Sequence, residues 1–470
     1  MYLVGMLVIG WFASKSASKG MLEHGLGGRS MHPLLIAFSY IASSTSASIY
    51  MGEPAMAYHI GWPAFWVTIA IIPGMVIPAL LLTSRLRKYS LRLDTMTIPS
   101  YLGERYGSDA VRVILALVIV IFYTFPLMAQ YKGASILFES ILGIPSTVGL
   151  VLFTLIVGFY VAVGGFRAVV WTDAIQAIPM LIFSAVLIGV CYVWVGGLSG
   201  LNAQLQQIDP TLMGVFDAEV FTPAGVIGSY IFWFIVFISN PYLSIRFMAI
   251  RDTGKRSMGT FLIATLLMAT LINSNYFIGL VGRVALPGLA DADYATIQMA
   301  INFLPAFIAA FMMIGIVSAM MSTIDSILLV VGTAVSEDIY RRTINKAAPD
   351  KLVLLITRLT IIAVTLVVFG LSIAKPPEFL FIIMNIGLSG VGIAVASPLL
   401  VGLFWDKASK AGALASIVVG VCLYSYLILF TPTNFWVTVG IGAVTGLVVM
   451  IAVSAVTAPP SDEILDKLKS

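Results

Sequence analysis

Long apolar runs separated by short polar loops recur along the whole chain, and they set its architecture. Read at the roughly 20 residues a helix needs to cross a hydrocarbon core, they predict thirteen spans, starting near Tyr2, Pro33, Trp62, Val111, Thr147, Ala168, Ala224, Met258, Tyr294, Leu352, Phe379, Ala411 and Phe435. The runs lack the alternation of lipid-facing strands, so the expected fold class is all-α, a polytopic membrane protein. The first run is short, with only about a dozen apolar residues before Lys15, so the chain is expected to begin inside its first helix. No small-residue cleavage site follows that run, which argues against a cleavable signal.

Composition and charge fix the setting. Sixty per cent of the residues are hydrophobic and 10% are charged, against about 25% charged in soluble domains. If the first span runs outside to inside, all but Lys132, Arg283 and Lys375 of the 26 lysines and arginines fall on the inner side. That bias predicts a plasma-membrane protein with its amino end outside and its carboxyl end in the cytoplasm. Arg246 and Arg251 read as cytoplasmic anchors, and Lys132 and Arg283 as external boundary residues. The net charge of +4 is spread as topology signals, so no nucleic-acid partner is expected. Cys191 and Cys422 lie in apolar spans, and His24, His32 and His59 lack metal-ligand spacing.

Two spans carry signals of interruption. In the second, Ala42-Ser43-Ser44-Thr45-Ser46-Ala47-Ser48 is followed by Gly52 and Pro54. Hydroxyl side chains at this density compete for backbone hydrogen bonds and weaken a helix. The alternative use of such small residues is close helix packing. Five spans later, Ser239-Asn240-Pro241 interrupts another apolar segment. A five-helix unit repeated with inverted topology puts its two broken helices five positions apart, with the binding site between them.

Polar residues at membrane depth locate the candidate chemistry. Asp173 stands inside an otherwise apolar span, where a carboxylate costs roughly 2.5–3.5 kcal/mol and normally faces a cavity, a partner or a cation. In the ninth span, Ala319 lies three and four residues before Ser322 and Thr323, so its carbonyl and both hydroxyls share one helical face. Neutral oxygens of this kind can replace the hydration shell of Na⁺, and carbonyls released by a broken helix can complete it. Asp325 and Ser326 follow one turn on, and with Asp173 they can hold a second cation or a proton. The alternative is that these hydroxyls bond only to a neighbouring carbonyl.

The stretches GGFRAVVWTDAIQ and SAMMSTIDSILL, the latter followed by SEDIYRR, resemble the two signature regions of the sodium:solute symporter family. TIPSYLGERYGS after the third span and NPYLSIRFMAIRD after the seventh also look like family patterns. The resemblance implies a LeuT-like core of two inverted five-helix repeats with one helix before it and two after. The chain would divide into 1–31 (first helix and loop), 32–195 (first repeat), 196–222 (extracellular loop), 223–404 (second repeat) and 405–470 (two helices and a cytoplasmic tail). It implies a sodium site on the carbonyls of Ala42, Thr45 and Ala319 with the hydroxyls of Ser322 and Thr323. Asp173, Ser322, Asp325 and Ser326 match positions that line a second site in members using two sodium ions. Asp325 stands where some of those members have Ser, which leaves ion number and a proton role open.

The expected function is sodium-coupled symport of a small organic solute by alternating access, with no enzyme activity, no organic cofactor, and a monomer working in the lipid bilayer. Candidate solute-binding residues are Ser44, Ser46, Ser48, Trp62, Phe65, Tyr123, Gln130, Trp233, Asn240, Tyr242 and Asn385. The sequence around GFY, GGFRA and MGEPAMAY looks nearest to the pantothenate and monocarboxylate branches. Proline, a sugar or sialic acid are the alternative solutes, and an ion channel is the alternative class. Glu53 reads as an acid at the outer mouth in contact with water.

Overall fold

The computed structural model describes Gly5, residues 20–374 and residues 379–469. The predicted first span, near Tyr2, and Lys375 lie outside the described residues. Within them the chain is almost wholly helical, and the β-pairing is one isolated parallel bridge between Met31 and Ile250. Nine described helices are long and apolar enough to cross a membrane, and two bent pairs, Pro33–Ser44 with Ser48–Ile60 and Pro223–Ser239 with Pro241–Ala249, raise the number to eleven. Leu155, Ile227, Leu267, Phe307 and Leu429 are large apolar side chains on the outer surface, as lipid contact requires.

One predicted boundary changes. The spans expected from Thr147 and Ala168 remain two helices within Ser146–Trp194, parted by a kink at Gly165. There φ is 66° and ψ 178°, a conformation open in practice to glycine alone. The span expected from Tyr294 begins later: Ala295–Phe303 is a short separate helix, and the crossing helix starts at Ala306. Pro305 supplies no N–H, and Leu304 before it is extended, the usual effect of a proline on its predecessor.

Basic residues gather at one end of the helices. Arg29 donates to the Thr95 carbonyl at 2.8 Å and Arg105 to the Gly402 carbonyl at 2.9 Å. Arg112 pairs with Glu104 at 2.8 Å, Arg342 with Glu337 at 2.9 Å and Arg341 with Asp350 at 2.7 Å. Arg246 is not among them.

Close packing at the other end rests on glycine. Gly279, in helix Tyr276–Ala285, lies against the start of Glu53–Ile60, and a Cβ there would stand 1.9 Å from the Pro54 carbonyl oxygen. Replacing glycine by alanine in a helix ordinarily stabilises it by about 0.5–1 kcal/mol. Gly279→Ala is expected to reverse that sign, costing about 1–3 kcal/mol through the backbone clash. Gly370→Ala, with nothing near its Cβ, serves as the control, both read by thermal unfolding in detergent.

Candidate functional site

At the first break, side-chain hydroxyls crowd a carbonyl that the backbone also uses. Ser44 and Thr45 both donate their hydroxyls to the Ile41 carbonyl, at 2.9 and 2.8 Å. Helix Pro33–Ser44 stops there, with Thr45 extended at φ −91° and ψ 117°, and the chain restarts in the π-turn Ser48–Gly52 at a bend of 58°. The amide of Ala47 donates to Gln130 Oε1 at 2.9 Å, and that of Ser48 to Ser46 Oγ at 3.1 Å.

The released carbonyls meet the ninth predicted span. Ser322 Oγ lies 2.8 Å from the Ala42 carbonyl and 3.1 Å from that of Ala319. Thr323 Oγ1 lies 3.1 Å from each of the carbonyls of Ser43, Thr45 and Ala319. All of these residues are buried. Two hydroxyls bring one proton each, whereas four carbonyls crowd them. The cluster is therefore rich in lone pairs and poor in hydrogens, an arrangement that suits a hard monovalent cation. The structure thus brings together Ala42, Thr45, Ala319, Ser322 and Thr323, and adds the Ser43 carbonyl, which sequence reading missed.

Beside this cluster stands a buried ion pair. Asp173 Oδ2 is 2.8 Å from Arg246 Nη2 and accepts from Ser39 Oγ at 2.6 Å and Ser43 Oγ at 3.0 Å. Arg246 also donates to Ser39 Oγ at 2.9 Å, to Ser326 Oγ at 2.8 Å, to the Tyr242 carbonyl and to Ser43 Oγ. Ser326 Oγ lies 3.2 Å from Asp325 Oδ1. Arg246 is fully buried, which corrects its reading as a cytoplasmic anchor. A positive charge of the chain itself meets Asp173, where sequence reading put a second cation among Asp173, Asp325 and Ser326. The missed signal was spacing: Arg246 precedes the loop-marking Arg251 by five residues, more than a helical turn, inside the half-helix Pro241–Ala249.

The second break has its own polar group. Asn240 is extended between Pro223–Ser239 and Pro241–Ala249, with Pro241 fixing the restart. Tyr123 donates to Asn240 Oδ1 at 3.1 Å, and Asn240 Nδ2 donates to the carbonyls of Val236 and Leu388 at 3.1 and 3.3 Å. The Tyr123 and Tyr242 rings meet edge to face at 5.8 Å. Asn385, a turn before Leu388, is buried with Nδ2 unpartnered, and Trp233, stacked on Phe237, is buried with Nε1 unpartnered.

Trp62 and Phe65 are placed elsewhere. Gly61, at φ 74°, turns the chain so that Trp62 Nε1 donates to Asn202 Oδ1 at 2.9 Å. Both rings line a separate cavity of about 370 Å³ against Asn202, Met213 and Val215. Lys132 is not a simple boundary residue either, since it pairs at 2.5 Å with fully buried Asp293. Burial pushes the Asp293 carboxyl above its ordinary range, and the Lys132 charge opposes that shift.

Two broken helices meeting around polar, buried oxygens define a multi-pass membrane protein of LeuT-like fold. A solved Na⁺-coupled sialic acid symporter, in a substrate-bound outward-open state, superposes with a TM-score of 0.83 at 21% identity, over 98% of this chain and 97% of that one. The profile of the sodium:solute symporter family matches residues 24–420. The chain is 30% identical to the high-affinity proline transporter PutP of Bacillus subtilis over 98% of both chains. It is also 30% identical to the sodium/pantothenate symporter of Escherichia coli, over 91% of this chain and 89% of that protein. The chain belongs to the sodium:solute symporter family.

Removing one partner of a buried pair leaves an uncompensated charge, at about 3–5 kcal/mol. Arg246→Ala is expected to destabilise the protein by that order, and adding Asp173→Asn to recover part of the loss. Thermal unfolding of the two variants in detergent checks this.

Proposed function

We propose that the protein is a secondary transporter that couples inward Na⁺ movement to uptake of a small organic carboxylate by alternating access. The observation that carries this reading is the convergence of the Ala42, Thr45 and Ala319 carbonyls with the Ser322 and Thr323 hydroxyls at a helix break. Sodium there would tie the first broken helix to Ala306–Thr333, and losing it would free the break to move. A tenfold gradient supplies about 1.4 kcal/mol per ion and 100 mV about 2.3 kcal/mol more. One ion per cycle then supports a roughly 500-fold accumulation of a neutral solute.

The solute would lie between the two breaks, near Ser44, Ser46, Ser48, Gln130, Tyr123, Asn240, Tyr242 and Asn385. Their neutral donors, together with half-helix amino ends, suit a carboxylate without a dedicated arginine. Relatives named for proline and for pantothenate transport both fit that class of solute. The proposed orientation keeps the basic end in the cytoplasm, and the protein is proposed to act as a monomer.

Uptake of labelled L-proline, pantothenate, lactate and sialic acid into proteoliposomes, with Na⁺ against K⁺ outside, tests the reading. Saturable uptake of a carboxylate that needs the sodium gradient is expected, and flux without saturation would indicate a channel. Ser322→Ala and Thr323→Ala should each raise the Na⁺ concentration for half-maximal uptake by about tenfold, the loss of roughly 1.4 kcal/mol of ligation. An unchanged value would move the sodium site elsewhere.

A further inference from the structure

Glu53 opens the half-helix Glu53–Ile60, just beyond the first break. Sequence reading placed it at the outer mouth in contact with water, but its exposure is 0%. Among the described residues it makes no ion pair, and its Oε2 has no hydrogen-bond partner. A carboxylate held this way in a membrane interior would lack both charge compensation and donors, an arrangement that membrane proteins avoid.

The contacts of Glu53 Oε1 show how the cost is removed. Thr68 Oγ1 lies 2.7 Å from the Asn273 carbonyl oxygen and 3.1 Å from Glu53 Oε1. A threonine hydroxyl has a single hydrogen and accepts through its lone pairs, while a carbonyl only accepts. The closer acceptor, Asn273, takes the Thr68 hydrogen. The contact with Glu53 is then a hydrogen bond only when the carboxyl carries a proton and donates it to Thr68 Oγ1. Both distances are satisfied together by the neutral acid and not by the carboxylate.

The neighbouring elements offer no competing charge. Tyr276, on helix Tyr276–Ala285, is the titratable group that feels Glu53. Tyr50, on the preceding π-turn, turns its hydroxyl away to the Met180 carbonyl at 2.8 Å. Arg283 lies over the Tyr58 ring, His59 is grouped with Arg283, Asp291 and Asp293, and Lys132 is taken by Asp293. Helix Leu380–Phe404 carries no charged residue.

Tyr276 also adjoins the wall of a cavity. The Tyr276 ring lies 5.1 Å from that of Phe65 and 6.2 Å from that of Trp62, and both of these line the cavity of about 370 Å³ beside Asn202. Tyr276 therefore adjoins both Glu53 and the rings that line that cavity. The three groups around the proton belong to three elements, Glu53–Ile60, Phe65–Arg92 and Asn273–Asn275. Only the first of these continues from the break, so movement there changes what Glu53 can donate to.

We infer that Glu53 is an exchangeable proton-binding site, loaded from the outer cavity past Tyr276, so that solute uptake carries a proton as well as sodium. The coupling half of this statement rests on the transport function proposed above, whereas the site itself does not. The step is a simple proton transfer: an external hydronium gives a proton to the Glu53 carboxylate, which becomes the neutral acid and returns the proton to water when its contacts with Thr68 are broken.

Infrared spectra of the reconstituted protein, recorded from mildly acidic to alkaline buffer with no solute present, test the site independently of transport. A carboxylic-acid C=O band that converts to carboxylate as pH rises is expected, retained in Asp173→Asn and lost in Glu53→Gln. A spectrum unchanged by Glu53→Gln, or a band that never titrates, overturns the proposal. Labelling of the unmodified protein with a hydrophobic carbodiimide, which attacks only protonated carboxyls, needs no variant. Peptide mass spectrometry should find the adduct on Glu53, diminishing as pH rises, and its absence at every pH also overturns the proposal. In proteoliposomes with a fixed sodium gradient, an added inward proton gradient should raise initial L-proline or pantothenate uptake severalfold in the wild type and leave Glu53→Gln unchanged. An equal response in both removes the coupling role. Loss of sodium dependence in both strikes the transport reading instead, and the spectra then decide Glu53 alone.

Discussion

Carbonyl oxygens released inside a membrane have nowhere to go but to other parts of the protein, and that constraint organises this molecule. Where the helix ends, the Ser44 and Thr45 hydroxyls crowd the Ile41 carbonyl, which also keeps the Thr45 amide. The chain must then satisfy what it has exposed, because lipid provides neither donors nor acceptors. Gln130 answers the stranded amide of Ala47, and Ser322 with Thr323 answer the carbonyls. Donors are fewer than acceptors at that meeting point. A cluster built this way suits a cation while remaining neutral without one, as the reversible sodium site proposed above requires.

Two buried carboxyls in the same fold solve the same electrostatic problem in different ways. Asp173 keeps its charge and is surrounded by Arg246, Ser39 and Ser43. Glu53 has no such company and rests on one threonine whose hydrogen is already committed. The first arrangement fixes geometry, since both halves of the pair are costly to disturb. The second responds to proton availability. Ser43 joins the first carboxyl to the carbonyl cluster, its hydroxyl on Asp173 and Arg246 and its carbonyl near Thr323.

The breaks at Ser44–Ser46 and at Asn240 were legible because their causes are local: hydroxyl crowding in one case and Asn-Pro in the other. The partnership of Ala42 and Thr45 with Ala319, Ser322 and Thr323 was legible through the family resemblance together with helical spacing. Residue type was a poorer guide to long-range partners. An arginine near a basic loop looks like an anchor, and only its distance from Arg251 hinted that Arg246 was inside. Glu53 beside Pro54 looks like a mouth residue, because nothing local announces that Thr68, 15 residues on, and Asn273, 205 residues beyond Thr68, would enclose it. Trp62 and Phe65 were assigned inward from their aromatic character, but the turn at Gly61 aims them at the loop helix carrying Asn202. The span near Tyr294 was read through Pro305, whose effect on Leu304 shortens it.

The bridge between Met31 and Ile250 ties together the ends of the two interrupted helices. The Met31 amide donates to the Ala249 carbonyl at 3.2 Å, and the Arg251 amide donates to the Met31 carbonyl at 2.9 Å. One helix begins just after this stitch and the other ends just before it, and Arg246 spans the gap between them again further in. Two rods pinned at two heights cannot swing apart. These contacts join the rods directly, so a displacement of the first by the proposed sodium site would reach the second without any intervening element.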